Sequence, residues 1–435
     1  MPTENGHRLS GTSADPQDHA RSDDALINLA QEKTGIAATE AAIKSAIASA
    51  APRFNFALLC LGGFCFATAY GMTFLLPLLI AGRGADVAAA GNIISTATFS
   101  SVGAVILSGH LSDHLGPCRA AMVAGLVLAV TMFGFATYSD TGIWNFLLGF
   151  LLGLGWGTFY SLGPIIASKM MPADLRPKAF ARLAGYMMAG IGTGPLIGRI
   201  AISSGFEDDH AFGVSGLIVT AGVASLAVVD RSTGLNGSGR LRSDKLSWSA
   251  AQAVLRSGSR APILMIGVAG AVFGGLSSFQ TSFAMANGVD FLVYYAAFMS
   301  AAIFARLILV TTALRMPQRP ANFALTGLMA LSIALLPLIN RDPWLYGAAA
   351  ALFGGSYGLL YSLLAGQTTD GVPDNHVSQV LLLFSLAYFV GAFGLPIFAG
   401  RVVIQSGING YLVLLLLLAL VNVVISAFRL TSNRI

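Results

Sequence analysis

Charge is what this chain has least of. Asp, Glu, Lys and Arg make up 10% of its 435 residues, where a soluble globular domain carries about 25%. So little charge excludes an ordinary water-exposed surface for most of the chain. The only glutamates, Glu4, Glu32, Glu40 and Glu207, fall in a polar tail or a loop, and Asp86, Asp290 and Asp370 fall at the ends of apolar runs. Cysteine is equally scarce. Cys60, Cys65 and Cys118 form an odd set without ligand spacing, which argues against a disulfide framework or a metal site. No H-E-x-x-H, G-x-S-x-G or phosphate-cradling Gly-Lys-Thr motif occurs, so no enzyme, cofactor or metal is expected. Nor is the net charge of +5 interleaved with aromatics as a single-strand binder requires, so no nucleic-acid partner is expected.

What is present is apolar length: 55% of residues are hydrophobic and the mean hydropathy is +0.72. Residues 1–53 read as a polar cytosolic tail without a signal-peptide pattern. Beyond it, apolar runs near the ~20 residues a membrane-crossing helix needs recur at 54–81, 87–108, 119–138, 143–168, 178–202 and 211–229. They resume at 262–286, 291–314, 321–340, 343–367, 377–400 and 408–428. The expected fold is all-α and integral to the lipid bilayer, with twelve transmembrane helices in two pseudo-symmetric six-helix bundles, 54–230 and 262–429. A cytosolic linker, 231–261, joins them as a passive tether, and 430–435 form a cytosolic tail. With an assumed cytosolic amino terminus, Lys and Arg concentrate on the cytosolic side. Only Arg83, Arg199, Arg341 and Arg401 face the opposite side, and Arg306 lies within a span. That asymmetry puts both termini in the cytosol of a plasma (inner) membrane protein.

The halves share an internal repeat. At an offset of 201, Gly153/Gly354, Trp156/Tyr357, Gly157/Gly358, Tyr160/Tyr361, Ser161/Ser362, Leu162/Leu363 and Pro172/Pro373 correspond. At 202, Tyr186/Tyr388, Gly192/Gly394, Gly198/Gly400 and Arg199/Arg401 do. This suggests one register shift between two homologous six-helix units.

Between the second and third runs, GHLSDHLGPCR reads as a short polar loop. Its Gly109, Leu111, Asp113, Gly116 and Arg119 resemble the loop between the second and third helices of the major facilitator superfamily of secondary transporters. His114 and Pro117 replace residues that are usually basic there. In the fifth span, Gly190, Gly194, Pro195 and Gly198 resemble a motif of that superfamily's drug–proton antiporter branch, with Arg199 in place of a further glycine. The arginine that branch carries in its fourth span has no counterpart, and Gly149 lies near its place. The resemblance implies alternating access driven by an ion or substrate gradient, with Gly109, Asp113, Gly116, Arg119, Gly190, Gly194, Pro195 and Gly198 in gating and conformational roles. Asp113 is expected to face a helix end or a basic residue such as Arg182.

An intramembrane cation faces a cavity or a partner, so Arg306 leads the substrate-binding candidates. Gln280 offers hydrogen bonds at a similar depth, and Tyr70, Trp156, Tyr160, Tyr357 and Tyr361 are candidate cavity walls. The expected function is secondary transport of a small organic molecule, anionic or zwitterionic, by a monomer in the direction of efflux. The alternatives are an uptake permease of the same fold and a sensor that binds without translocating. A proton is the favoured coupling ion, with Asp290, Asp370 or His376 to carry it from near an interface.

Overall fold

The computed structural model describes residues 53–76, 79–80, 83, 87–137, 142–205, 208–233, 246, 252, 254 and 258–431. The expected tail up to residue 52, most of the 231–261 linker, and 432–435 lie outside the described residues. Among the described residues there is no strand. That is the outcome the bilayer dictates, because a helix satisfies every backbone N–H and C=O within its own segment.

Among the described residues, eleven helices are long and apolar enough to cross a membrane. They are α1 (Arg53–Gly71), α2 (Val87–Leu115), α3 (Pro117–Thr137), α4 (Ile143–Met170), α6 (Asp208–Thr233), α7 (Arg260–Asn287), α8 (Phe291–Ala313), α9 (Gln318–Leu338), α10 (Pro343–Thr369), α11 (Val377–Leu395) and α12 (Gln405–Thr431). The helix α5 (Arg176–Ser203) has 28 residues but is not among them. Arg176, Lys178, Arg182 and Arg199, with its several glycines, dilute its apolar character. Helices α11 and α12 run on within one 55-residue helical segment that turns at Gly407 (φ 68°).

The stretch from Gly109 to Arg119 is not a loop. Helix α2 continues through Asp113 to Leu115, and the chain reverses at Gly116 alone, whose φ of 85° is left-handed and natural to glycine. Pro117 then starts α3, where its missing N–H costs nothing. A second glycine, Gly288 (φ 65°), ends α7, and the Asp290 side chain caps α8 by accepting from Leu292 N at 2.9 Å.

Lipid offers no hydrophobic force between helices, so close approach of small residues holds them together. On α4, Gly153 and Gly157 lie against the backbone of Ala97 and Ser101 on α2, where a Cβ would collide. On α10, Gly354 and Gly358 meet Phe298 and Ala302 on α8 in the same way, each neighbour again displaced by 201. A second arrangement recurs. Gly190 of α5 sits on Phe64 O of α1 while Gly71 sits on Ile191 O, and Gly391 of α11 sits on Gly267 O of α7 while Gly274 sits on Ala392 O. These reciprocal pairs keep the register at 201 through α5 and α11, where Pro195 and Pro396 also correspond. The 202 register expected here pairs residues one place out of step. Backbone contact against α1 and α7, rather than matching letters, fixes the alignment.

Gly194 is built into the same contact, facing the backbone of Gly71 and Met72. Gly194→Leu is expected to lower unfolding stability by about 1–3 kcal/mol through overpacking. Gly103→Leu, where nothing lies within 4 Å of a new Cβ, should leave the thermal midpoint of the detergent-solubilised protein unchanged.

Candidate functional site

Residues four apart lie on one helix face, and both repeat units use that geometry. Helix α4 presents Trp156 and Tyr160; α10 presents their counterparts Tyr357 and Tyr361. Tyr160 Oη donates to Tyr361 Oη at 2.8 Å. The two residues that correspond in the sequence repeat are thus in direct contact. Around this pair the rings stack two deep: Tyr70 on Trp156 (4.9 Å, 15°), Phe273 on Tyr357 (4.9 Å, 7°) and Tyr160 on Tyr388 (5.3 Å, 12°).

Arg306 projects from α8 where the helix loosens into a π-turn, Ala305–Leu309. Such turns insert a residue into the helical repeat and frequently occur at functional sites. Its side chain is buried, with 5% of its surface exposed. The guanidinium lies 4.8 Å from the Tyr361 ring centre and 5.6 Å from that of Tyr357. Nη1 donates to Ala184 O on α5 at 3.2 Å, while Nε is buried without a hydrogen-bond partner.

These groups line a cavity of about 400 Å³, within the range of small-molecule sites. Its walls include Arg306, Tyr70, Trp156, Tyr160, Tyr357 and Tyr361, six of the seven binding candidates the sequence suggests. Gln280 is not among them. Its Oε1 accepts from Tyr346 Oη at 2.7 Å within the packed interior of the α7–α12 region. Residues the sequence reading missed also line the cavity: Phe273, Tyr295, Ser385, Tyr388 and Phe389. The signal for Tyr388 was available in the 201 register, which pairs it with Met187, another wall residue; the 202 register pairs it with Tyr186, which is exposed. Among the described residues, no Asp, Glu, Asn, Gln, Lys or His lines the cavity, and Arg306 supplies its only formal charge.

Helix α5 also contacts α8, α10 and the segment after α10 near Arg306. Arg176 Nη2 meets Asp374 at 3.0 Å, Gly366 packs on Pro177, and Gly185 packs on Leu307 and Arg306. Nearby Asp370 is exposed just beyond α10, and partial desolvation there raises its carboxyl pKa above the ordinary value. The gating candidates are dispersed. Gly109 is buried in α2, Asp113 is exposed on the same helix, and Arg119 pairs with Asp230 at 3.2 Å. Gly190 and Gly194 bind α1 to α5, and Pro195 lies inside α5, which continues to Ser203. The surroundings of Gly198 lie outside what is described.

A family model described as Major Facilitator Superfamily matches residues 59–396. By sequence, no curated protein matches. In structure the chain is similar to the human organic anion transporter MFSD10 (TETRAN), with a TM-score of 0.70, 15% identity, and 86% of this chain and 99% of that one covered. It is similar also to the transporter FucP in the outward conformation (TM-score 0.66, 15% identity, 86% and 98% covered) and to the proton:xylose symporter XylE bound to 6-bromo-6-deoxy-D-glucose (TM-score 0.65, 13% identity, 87% and 95% covered). At such identities the likeness is one of fold.

The Tyr160–Tyr361 bond is testable without any ligand. Tyr160→Phe leaves the buried Tyr361 hydroxyl without this partner and is expected to cost about 1 kcal/mol or somewhat more, read as a lowered unfolding midpoint. An unchanged midpoint would mean the bond adds nothing to the junction of the two units.

Proposed function

The chain belongs to the major facilitator superfamily, and on that premise we propose that it is a secondary transporter of small organic anions or zwitterions, working by alternating access. The observation that carries this reading is Arg306, the one formal charge facing the cavity among the described residues, with no carboxylate opposite it. A buried cation requires a counter-charge, water or ligand, and a carboxylate can take a guanidinium in bidentate fashion. Similarity in fold to an organic anion transporter is consistent with it.

In this reading α5 counts as a twelfth span. The α1–α6 and α7–α12 groups are two six-helix bundles related by the repeat, with both termini cytosolic in a plasma membrane and the monomer as the working unit. The end carrying the Arg176–Asp374 pair is then the cytosolic one. A proton is the coupling ion, and Asp370, with its raised pKa, is the acid best placed to carry it. Efflux is the assigned direction, supported by the Gly190–Gly198 motif. Uptake is the second reading, favoured by similarity to a proton symporter.

Flux of labelled organic anions into proteoliposomes under an imposed proton gradient tests the function. Arg306→Gln is expected to lower anion transport about tenfold or more, because hydrogen bonds to charged groups contribute roughly 1.5–3 kcal/mol. Arg306→Lys should lose less, since it keeps the charge but not the fork. A lipophilic cation carried equally by wild type and Arg306→Gln would refute anion selectivity. Asp113→Asn should depress flux several-fold with membrane insertion intact, since charge–dipole contacts contribute roughly 0.3–2 kcal/mol to one access state. Full activity would remove Asp113 from the gate.

A further inference from the structure

Resting on the cavity as the transport site, we propose that its substrate class is a singly charged aromatic carboxylate, its flat ring against Phe273 and Tyr388 and its carboxylate on Arg306. Three features of the walls narrow the chemistry to this class.

The first is how charge is disposed. Aromatic cages commonly take organic cations on their ring faces. Here a cation already occupies the faces of Tyr361 and Tyr357, at 4.8 and 5.6 Å from the guanidinium. A second cation would meet Arg306 head-on. Its Nε is buried without a hydrogen-bond partner in a side chain of 5% exposure, so the charge is only partly answered by the protein. One guanidinium neutralises one carboxylate, so di- and triacids or phosphate esters would bring negative charge that no other described wall residue answers.

The second is what the walls lack. A sugar or another polyol presents hydroxyl groups around its whole rim, and burying each without a partner is costly. Among the described residues, no side-chain amide or carboxylate lines the cavity to meet them; the polar side-chain groups are Arg306, the indole N–H of Trp156 and the hydroxyls of Ser, Thr and Tyr.

The third is the arrangement of the rings. Phe273 and Tyr388 are partly buried and line the cavity, and their neighbours in the same wall, Tyr357 and Phe389, are buried at 1% exposure. Phe273 stacks on Tyr357 at 7°, and Tyr388 meets Phe389 at 62°. Phe273 and Tyr388 are thereby held in fixed orientations, Tyr388 also by Tyr160 stacked on it at 12°, and the ring surface they leave toward the cavity is what a flat guest would meet. Offset-stacked and edge-to-face pairs gain on plain apolar contact, and rigid rings give up little entropy when the guest arrives.

Titration calorimetry on the purified full chain at neutral pH, with three probes, tests this. Benzoate and cyclohexanecarboxylate share charge and carbon count but differ in aromaticity; benzamide keeps the ring and loses the charge. Benzoate is expected to bind about three- to tenfold more tightly than cyclohexanecarboxylate, and at least about tenfold more tightly than benzamide. Tyr388→Leu should bring the two acids together, and Tyr388→Phe should keep them apart. Should Tyr388→Leu fail to fold, the wild-type ratio decides alone. Equal binding of the two acids, lost in Arg306→Gln, would overturn the aromatic class and leave the anion reading standing. Binding of neither acid would overturn both.

Discussion

A guanidinium buried inside a membrane protein must have its charge answered from close range, because the hydrocarbon around the protein cannot solvate it. Arg306 meets this demand with two ring faces and one backbone carbonyl. The rings belong to α10, two helices along from its own α8, but the carbonyl of Ala184 belongs to α5, on the other repeat unit. Burying this charge therefore fixes more than one side chain. It holds α5 against α8 at the end of the cavity where Gly185 packs on Leu307. A carboxylate in the cavity would offer the same guanidinium a stronger, charged acceptor than a carbonyl. Ligand and helix contact thus draw on one set of donors.

The frame that makes such placement possible is built from glycine. Backbone meets backbone where α4 crosses α2 and where α10 crosses α8, and again in the reciprocal contacts of α1 with α5 and α7 with α11. In lipid, where apolar side chains gain little by leaving their surroundings, these close approaches supply the van der Waals contact that selects one packing. They also leave little space between helices away from the axis. The cavity, by contrast, is walled largely by rings.

The spans were legible because bilayer thickness acts directly on sequence: a run of about twenty apolar residues with polar breaks has few other readings. The aromatic set on α4 and α10 was legible too, since repeated Tyr-Ser-Leu segments placed the same face twice. Other features were hidden for physical reasons. Helices apolar on every side carry no stripe to say which face is inward, so Gln280 stood beside Arg306 as a candidate, whereas it is held by Tyr346 and only Arg306 lines the cavity. A polar segment resembling a loop proved to be helix up to Leu115, because polar residues past the membrane edge can continue a helix at no cost in burial. The α5 and α11 register was misread by one because the letters matched better at 202. Tyr388 was lost with it.

The repeat also shows where symmetry stops. Tyr160 and Tyr361 hold each other across the junction as counterparts, a contact that distinguishes neither unit. Carried through the same 201 register, Arg306 falls opposite Val105, which is fully buried in the core and does not line the cavity. Helix α2 passes Val105 as a regular α-helix, while α8 opens into a π-turn at Arg306. One substitution and one change of helical repeat thus go with a formal charge on the α7–α12 side of the cavity only, among the described residues. The α1–α6 side of the cavity has rings, methionines, hydroxyls and aliphatic side chains but no formal charge, so the electrostatic asymmetry of the walls rests on Arg306 alone among the described residues.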